Sequence, residues 1–207
     1  SVDVYRKKER QILHVPRWII GILKFQLGLV YFYAGLSKLN YDWLISAMPL
    51  KIWLPANTHL PIIGSLLGYE ATAYAFSWFG ALYDLTITFF LLNKRTRTWG
   101  YITVIVFHIM TLVLFQIGMF PYIMILVTLI FFSEGFHLRA IYLLKRLLGM
   151  ASLTVKTTLN NKSYTPVFSK LIKCSFILHF IIQIILPWRF TLYNGKLFWT
   201  EQGYRFS

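Results

Sequence analysis

Long apolar runs separated by short basic joints limit what this chain can fold into more than any other feature of the sequence. Charged residues make up only 14% of the 207 residues and hydrophobic residues 57%, whereas soluble domains carry about 25% charged residues. A helix of about 20 apolar residues covers the hydrocarbon core of a bilayer. The sequence therefore predicts an all-α integral membrane protein with one membrane domain, not a soluble protein with a large core.

The apolar runs predict about five transmembrane helices, of which the fourth and fifth are short. Aromatic residues at the ends of spans are typical of the membrane interface, so Trp18 and Tyr31 to Tyr33 are interpreted as interfacial belt residues. The five predicted spans are Trp18 to Leu36, Tyr74 to Leu92, Trp99 to Phe115, Phe120 to Phe132 and Cys174 to Leu186.

The segment from Asn40 to Tyr69 is not typical of a span, because prolines and glycines interrupt it repeatedly. Leu44 to Leu54 and Leu60 to Leu67 are predicted to be short interfacial helices, with Trp43 at the level of the lipid headgroups. A further stretch, Phe136 to Met150, is amphipathic and is predicted to lie on the membrane surface.

The net charge of +14 comes from basic residues in the joints between the apolar runs. This distribution disfavours nucleic acid as a binding partner. The basic joints are Ser1 to Arg17, Asn93 to Trp99 and Ser133 to Lys173, and with five spans all three fall on one side of the membrane. The positive-inside rule then predicts a cytoplasmic N-terminus. Lys38 and Asp42 are consequently expected on the non-cytoplasmic face of a bacterial inner membrane or of the endoplasmic reticulum.

Ionisable residues inside or beside spans are costly, and they are usually paired or functional. Lys38 follows the first span and precedes a polar turn with Asp42 and Trp43. It is either a snorkelling anchor in the headgroup layer or a reactive amine at a membrane-edge site. Asp84 and His108 fall near the middle of adjacent antiparallel spans. They are expected either to pair, with the carboxylate fixing the imidazole tautomer, or to form a packing hydrogen bond between helices.

Other polar residues in the spans receive structural interpretations. Lys24 is expected to snorkel towards the basic side of the membrane, and His179 to be a histidine at a helix interface. No two histidines have ligand spacing on one helix, so no metal site is predicted. Cys174 is the single cysteine, which excludes a disulfide within the chain.

Four blocks of sequence stand in an order that is typical of one family of membrane enzymes. They are HVPRW (His14 to Trp18), VYFYAGLSKLNYDWL (Val30 to Leu44), FHIMTLVLFQIGMFPYIM (Phe107 to Met124) and the pair LPWRF with FWTEQGYRFS (Leu186 to Ser207). Together they resemble the vitamin K-dependent gamma-glutamyl carboxylases and their bacterial relatives, which share a horizontally transferred transmembrane domain. The resemblance covers most of the chain.

The resemblance implies a carbon–carbon lyase. Such an enzyme oxidises a reduced naphthoquinone, of vitamin K or menaquinol type, with oxygen, and it adds carbon dioxide to the gamma carbon of a peptide glutamate. Lys38 occupies the place of the family's catalytic base in the AG..KL motif, and Asp42, Trp43, Asp84 and His108 are expected to shape the quinone site. A poorly hydrated site favours the uncharged amine, which can accept a proton. The implied partners are membrane lipid and a glutamate-containing peptide or protein, with no metal cofactor.

Other functions stay open at this point. Phe190 stands where family members commonly carry a histidine, which leaves a non-catalytic membrane subunit or scaffold, bound to a partner in a membrane complex, as the alternative. A lipid or quinone transporter is disfavoured, because no repeat-related discontinuous spans are present. Residues 1–187 are predicted to be the carboxylase-like transmembrane domain, and residues 188–207 the start of a non-cytoplasmic C-terminal region in a longer native chain.

Overall fold

The computed structural model describes residues 17–115, 117–149 and 166–188, and every regular element in these ranges is helical. Short 3-10 turns, among them Pro55–Asn57 and Leu129–Phe131, extend neighbouring helices. The α-helices are α1 (Arg17–Ser37), α2 (Tyr41–Leu44), α3 (Met48–Trp53), α4 (Gly64–Leu67), α5 (Glu70–Leu92), α6 (Arg97–Leu114), α7 (Phe120–Thr128), α8 (Glu134–Leu147) and α9 (Pro166–Ile185).

The predicted all-α membrane fold is confirmed by the length and hydropathy of these helices. Within the described residues, four segments of 18 to 23 residues are long and apolar enough to cross a bilayer, namely Trp18–Ser37, Glu70–Leu92, Arg97–Leu114 and Lys170–Trp188. The remaining predicted span is realised as the shorter apolar segment Phe120–Phe131. That segment is below the length of about 20 residues that a helix needs to cross the hydrocarbon.

The described residues divide into two compact units. Residues 17–115 and 117–149 belong to one unit, and helix α9 belongs to the other. Helix α9 carries His179 and the exposed Cys174. The first unit contains Lys38, Asp84 and His108.

The first core of this unit joins α1, α5, α6 and α7. Helix α1 packs along α5, and α6 packs against both α5 and α7. Tyr31 is only 2% exposed, because it lies on the face of α1 that meets α5 and packs between helices. Its level in the membrane stays a prediction. The buried members of this core are Leu27, Tyr31, Tyr83, Ile87, Leu91, Val104, Met124 and Phe131.

Two glycines allow α1 and α5 to approach closely. A Cβ at Gly28 would lie 3.0 Å from the side chain of Thr88, and a Cβ at Gly35 would lie 2.7 Å from Cγ of Leu85 and 3.0 Å from its backbone nitrogen. Small residues at helix crossings are a common means of packing helices tightly in membranes. This contact fixes the depth at which the end of α1 meets the middle of α5.

Substituting Gly35 with alanine tests that close approach. The added methyl group meets both the branch point and the backbone of Leu85, so the helices must move apart, and we expect the free energy of unfolding to fall by about 1–3 kcal/mol. Gly21→Ala is the matched control, because it lies on the same helix and a Cβ there meets nothing within 4 Å. Thermal unfolding in detergent measures both variants, and equal melting temperatures for them would contradict the proposed contact.

The segment between α1 and α5 folds back on the helices as short pieces, as its prolines and glycines predict. The side chain of Asn40 caps α2 by accepting a hydrogen bond of 2.8 Å from the backbone N–H of Trp43. Asn57 donates to the carbonyl of Leu114 at 3.1 Å, which ties the 3-10 turn to the end of α6. The buried residues of this second core are Ala47, Leu50, Leu54, Leu67, Ala73 and Leu114.

A lysine on α3 fastens the same segment to the start of α5. The Nζ atom of Lys51 lies 2.5 Å from a carboxylate oxygen of Glu70 and 3.0 Å from the hydroxyl of Tyr74. The hydrogen bonds to Glu70 and to Tyr74 raise the pKa of the Lys51 amine above its usual range. Lys51 therefore stays protonated as a link between the two elements.

Helix α8 (Glu134–Leu147) covers most of the amphipathic stretch that was predicted after α7. None of its residues is buried, and the ring of Phe136 contacts that of Phe132 with centroids 4.3 Å apart. Lys24 extends its amine over the ring of Phe131 at 5.8 Å. The surface location of α8 and the cytoplasmic N-terminus stay predictions, and residues 1–16 lie outside the described ranges.

Candidate functional site

Lys38 is the first residue after α1, and its side chain folds back along that helix. Its backbone N–H donates to the carbonyl of Gly35 at 3.0 Å, and its Nζ donates to the carbonyl of Ala34 at 3.1 Å. Nζ also lies 2.6 Å from Oδ2 of Asp84. The side chain of Lys38 is only 19% exposed, so the amine is held against protein and does not extend into solvent.

Asp84 lies on the buried face of α5. Buried residues recur along this face every three or four positions, at Ser77, Ala81, Asp84, Ile87 and Leu91. Its side chain is 6% exposed. A carboxylate at such a position requires a partner, because an isolated buried charge is very costly. Lys38 supplies both the charge and the hydrogen bond.

Asp84 does not pair with His108, which corrects one of the two interpretations of these residues. The carboxylate bonds the amine of Lys38, and the imidazole Nδ1 lies 3.0 Å from the carbonyl of Val104, one turn earlier on its own helix. The alternative, a packing hydrogen bond between helices, does not describe His108 either, because this bond is internal to α6. Lys38 can reach Asp84 because the flexible side chain of a lysine extends well away from its own backbone position.

Trp43 forms one wall beside the amine. The centroid of its ring lies 5.4 Å from Nζ of Lys38, within the range of a cation–π contact. Its indole N–H donates to the carbonyl of Ser77 at 3.0 Å, and the hydroxyl of Ser77 donates back to the carbonyl of Trp43. These reciprocal bonds fix α2 against α5 and hold the ring in place.

Asp42 is placed differently from the other predicted site residues. It lies in the first turn of α2, and it is exposed. It is not among the residues that line the cavity described below. The polar turn therefore turns Trp43 towards the site and Asp42 away from it.

The ring of His108 is 2% exposed and is surrounded by aromatic side chains. Its centroid lies 5.4 Å from that of Phe107, 6.2 Å from that of Phe120, 6.3 Å from that of Tyr83 and 6.4 Å from that of Tyr31. Edge-to-face arrangements at these distances are favourable. Helices α1, α5, α6 and α7 all contribute to this cluster.

Tyr31 and Tyr83 were not predicted as site residues, although both belong to this cluster. The hydroxyl of Tyr31 lies 3.4 Å from that of Thr128, whereas the buried hydroxyl of Tyr83 has no hydrogen-bond partner within the described part of the chain. The spacing of Gly28, Tyr31, Gly35 and Lys38 is three, four and three residues, which places all four on one face of a helix. That periodicity is the signal that would have found Tyr31.

A cavity of about 1100 Å³ connects these residues. Lys38, Trp43, Asp84, His108 and Tyr31 all line it, and most of its remaining lining is aliphatic or aromatic. Binding sites for small molecules are typically cavities of about 300–1,000 Å³ with an apolar lining and a few polar groups. The cavity therefore has the size and chemistry of a site for a large, mainly apolar molecule.

Across residues 17–115, 117–149 and 166–188, no group of three or more histidine, cysteine, aspartate or glutamate side chains gathers as metal ligands do. What the arrangement offers instead is a paired amine and carboxylate at the wall of an apolar cavity.

Two family models match this chain. The model described as HTTM domain matches residues 1–136, and the model described as vitamin K-dependent gamma-carboxylase, lumenal domain, matches residues 168–207. No solved structure matches the chain. The two matches confirm the resemblance predicted from the four sequence blocks. The predicted boundary between residues 187 and 188 stays a prediction, as does the catalytic role of Lys38.

Proposed function

The chain belongs to the HTTM domain family, and on that premise we propose that it is a membrane-embedded, vitamin K-dependent carboxylase-like enzyme. The observation that carries the proposal is the amine of Lys38, held 2.6 Å from the Asp84 carboxylate at the wall of the apolar cavity. Paired ionisable groups in a water-poor cleft are typical of proton-transfer sites. The match of residues 168–207 to a carboxylase lumenal domain supports the same reaction class.

A reduced naphthoquinone fits the residues that line this cavity. Phe79, Phe107 and Phe120 offer ring faces and edges, and aromatic rings prefer offset or edge contacts with one another. The volume of about 1100 Å³ exceeds that of a bicyclic ring and leaves room for an apolar tail. When bound, the reduced quinone supplies, through its oxidation by oxygen, the driving force for removing a proton from the gamma carbon of glutamate, and carbon dioxide then adds to that carbon.

The protein's own contribution is to accept a proton at Lys38. The amine and the Asp84 carboxylate share one proton across their hydrogen bond, and the low polarity of the site reduces the preference for two separated charges. With that proton on Asp84, the amine of Lys38 is free to accept a second proton from a ligand hydroxyl. The pair then carries one positive charge, which stabilises the negative charge left on the ligand.

The cavity has two kinds of wall, which suits a lipid-soluble cofactor and a peptide substrate. Val30, Val106 and Val113 line it and are also exposed on the outer faces of α1 and α6, where lipid tails would lie. Asn57 and His59 line it from the short pieces between α1 and α5, which are rich in turns. We infer that the quinone enters between helices and that the glutamate approaches past the short pieces.

The proposal is tested with the purified chain in lipid nanodiscs. We expect incorporation of labelled carbon dioxide into a short glutamate-containing peptide, together with oxygen uptake, when reduced naphthoquinone is supplied. The oxidised quinone, and a peptide with glutamine in place of glutamate, serve as controls and should give no incorporation. Oxygen uptake and incorporation that are both independent of the reduced quinone would overturn the proposal.

A further inference from the structure

The imidazole of His108 is held in one tautomer by its own helix. Nδ1 lies 3.0 Å from the backbone carbonyl of Val104, and a carbonyl oxygen can only accept a hydrogen bond, so Nδ1 carries the hydrogen. In a neutral imidazole the other nitrogen, Nε2, is then a bare acceptor. Within the described part of the chain, no protein group bonds Nε2.

The surroundings of His108 keep the ring neutral. Phe107, Phe120, Tyr31 and Tyr83 enclose it, and burial among apolar groups disfavours a charged ring that lacks a partner. The carboxylate of Asp84 is bonded to Lys38, and within the described residues no hydrogen bond joins it to His108. His108 therefore offers the cavity an acceptor and no donor.

The amine of Lys38 and the ring of His108 both contact α1, at residues less than one turn apart. Nζ of Lys38 reaches back to the carbonyl of Ala34, and the ring of His108 packs beside Tyr31. Ala34 and Tyr31 are three residues apart on α1, a rise of about 4.5 Å along the helix axis. Both residues line the same cavity, so one ligand that fills it can contact the base and the acceptor together.

We propose that Nε2 of His108 accepts a hydrogen bond from one hydroxyl of a 1,4-dihydroxy aromatic ligand whose other hydroxyl faces Lys38. The inference rests on the proposed function and adds a residue that selects the redox state of the ligand. A reduced ring has a hydrogen to donate at each oxygen, whereas an oxidised ring presents two carbonyl oxygens. A bare Nε2 accepts a hydrogen bond from a hydroxyl of the reduced ring, whereas its lone pair repels a carbonyl oxygen of the oxidised ring. His108 therefore favours the reduced form.

The test is an anaerobic binding measurement, which needs no turnover. Three probes are titrated: 2-methyl-1,4-naphthohydroquinone, the corresponding quinone, and the 1,4-dimethoxy analogue, which has no hydroxyl hydrogen. Binding is followed by quenching of tryptophan fluorescence, because Trp43 lines the cavity. In the wild-type protein we expect the hydroquinone to bind more tightly than either of the other probes.

His108→Leu is expected to weaken hydroquinone binding about 10-fold, as loss of one buried hydrogen bond does, and to leave binding of the dimethoxy analogue unchanged. His108→Gln keeps an acceptor oxygen and should retain part of the preference. His137→Leu is the matched control, since His137 lies on α8 outside the cavity lining.

The outcomes separate this inference from the proposed function. Equal hydroquinone affinity in the wild-type protein and in His108→Leu would overturn the role of His108 and leave the proposed function standing. A parallel loss for the hydroquinone and the dimethoxy analogue would also overturn it, because a packing defect affects both probes alike. Failure of the wild-type protein to bind any of the three probes would overturn the inference and the proposed function together.

Discussion

Replacing Lys38 with arginine is expected to leave the fold intact and to lower quinol-dependent carboxylation by about 10²–10⁴-fold, the contribution typical of a positioned acid–base group. Arginine keeps a positive charge next to the carboxylate that now lies 2.6 Å from Nζ, and its planar fork suits a carboxylate. The ion pair with Asp84 therefore survives. A guanidinium is not deprotonated in proteins, so the site can no longer accept a proton. Initial rates of carbon dioxide incorporation and the thermal unfolding midpoint measure the two effects separately.

The control for this prediction is Lys24, which lies within α1. Lys24 also points its amine at an aromatic ring, that of Phe131, but it does not line the cavity. Lys24→Arg should therefore keep the wild-type rate. If Lys38→Arg retained more than about a tenth of the wild-type activity, a general-base role worth at least a hundredfold would be excluded.

The membrane fold could be predicted from the sequence because it depends on one property, the length of apolar runs. The spans that begin at Trp18, Tyr74 and Trp99 correspond to α1, α5 and α6, and their ends differ from the predicted ones by a few residues. The prolines and glycines after Asn40 likewise predicted short helices instead of a span. Such local signals act through the backbone of the segment itself, so they need no knowledge of packing.

The partner of Asp84 could not be predicted, because it depends on how two helices cross. Reading depth from the middle of each span placed Asp84 level with His108, which suggested a pair. The depth of Lys38 is set by the close contact of Gly35 with Leu85 and by a side chain that folds back to Ala34. Neither feature can be predicted from the hydropathy of the sequence.

The polar turn after α1 is a second part of the site that the sequence predicted incompletely. Asp42 and Trp43 were both expected at the site, yet only Trp43 faces it. A helix of four residues such as α2 is shorter than two turns, so its sequence has no periodicity from which the inner face could be read. The bonds between Trp43 and Ser77, which join residues far apart in the chain, decide the orientation.

The second large effect is expected from Asp84→Asn. Asparagine keeps the shape of the side chain but removes the negative charge, which leaves the amine of Lys38, only 19% exposed, without a counter-ion. Removing one partner of a buried ion pair lowers the free energy of unfolding by about 3–5 kcal/mol. Carboxylation should fall as well, because the group that takes the proton from Lys38 is lost. Unfolding in mixed micelles and rates of carbon dioxide incorporation measure the two losses.

The double variant Lys38→Met with Asp84→Leu shows whether the two residues act as a pair. Apolar side chains of similar size often replace a buried ion pair without loss of stability, so the double variant should regain most of the stability that Asp84→Asn loses. Its carboxylation should stay at the background level, since no base remains. A double variant that is no more stable than Asp84→Asn would contradict the pairing. One that is stable and still active would show that the pair serves the fold alone and that another group is the base.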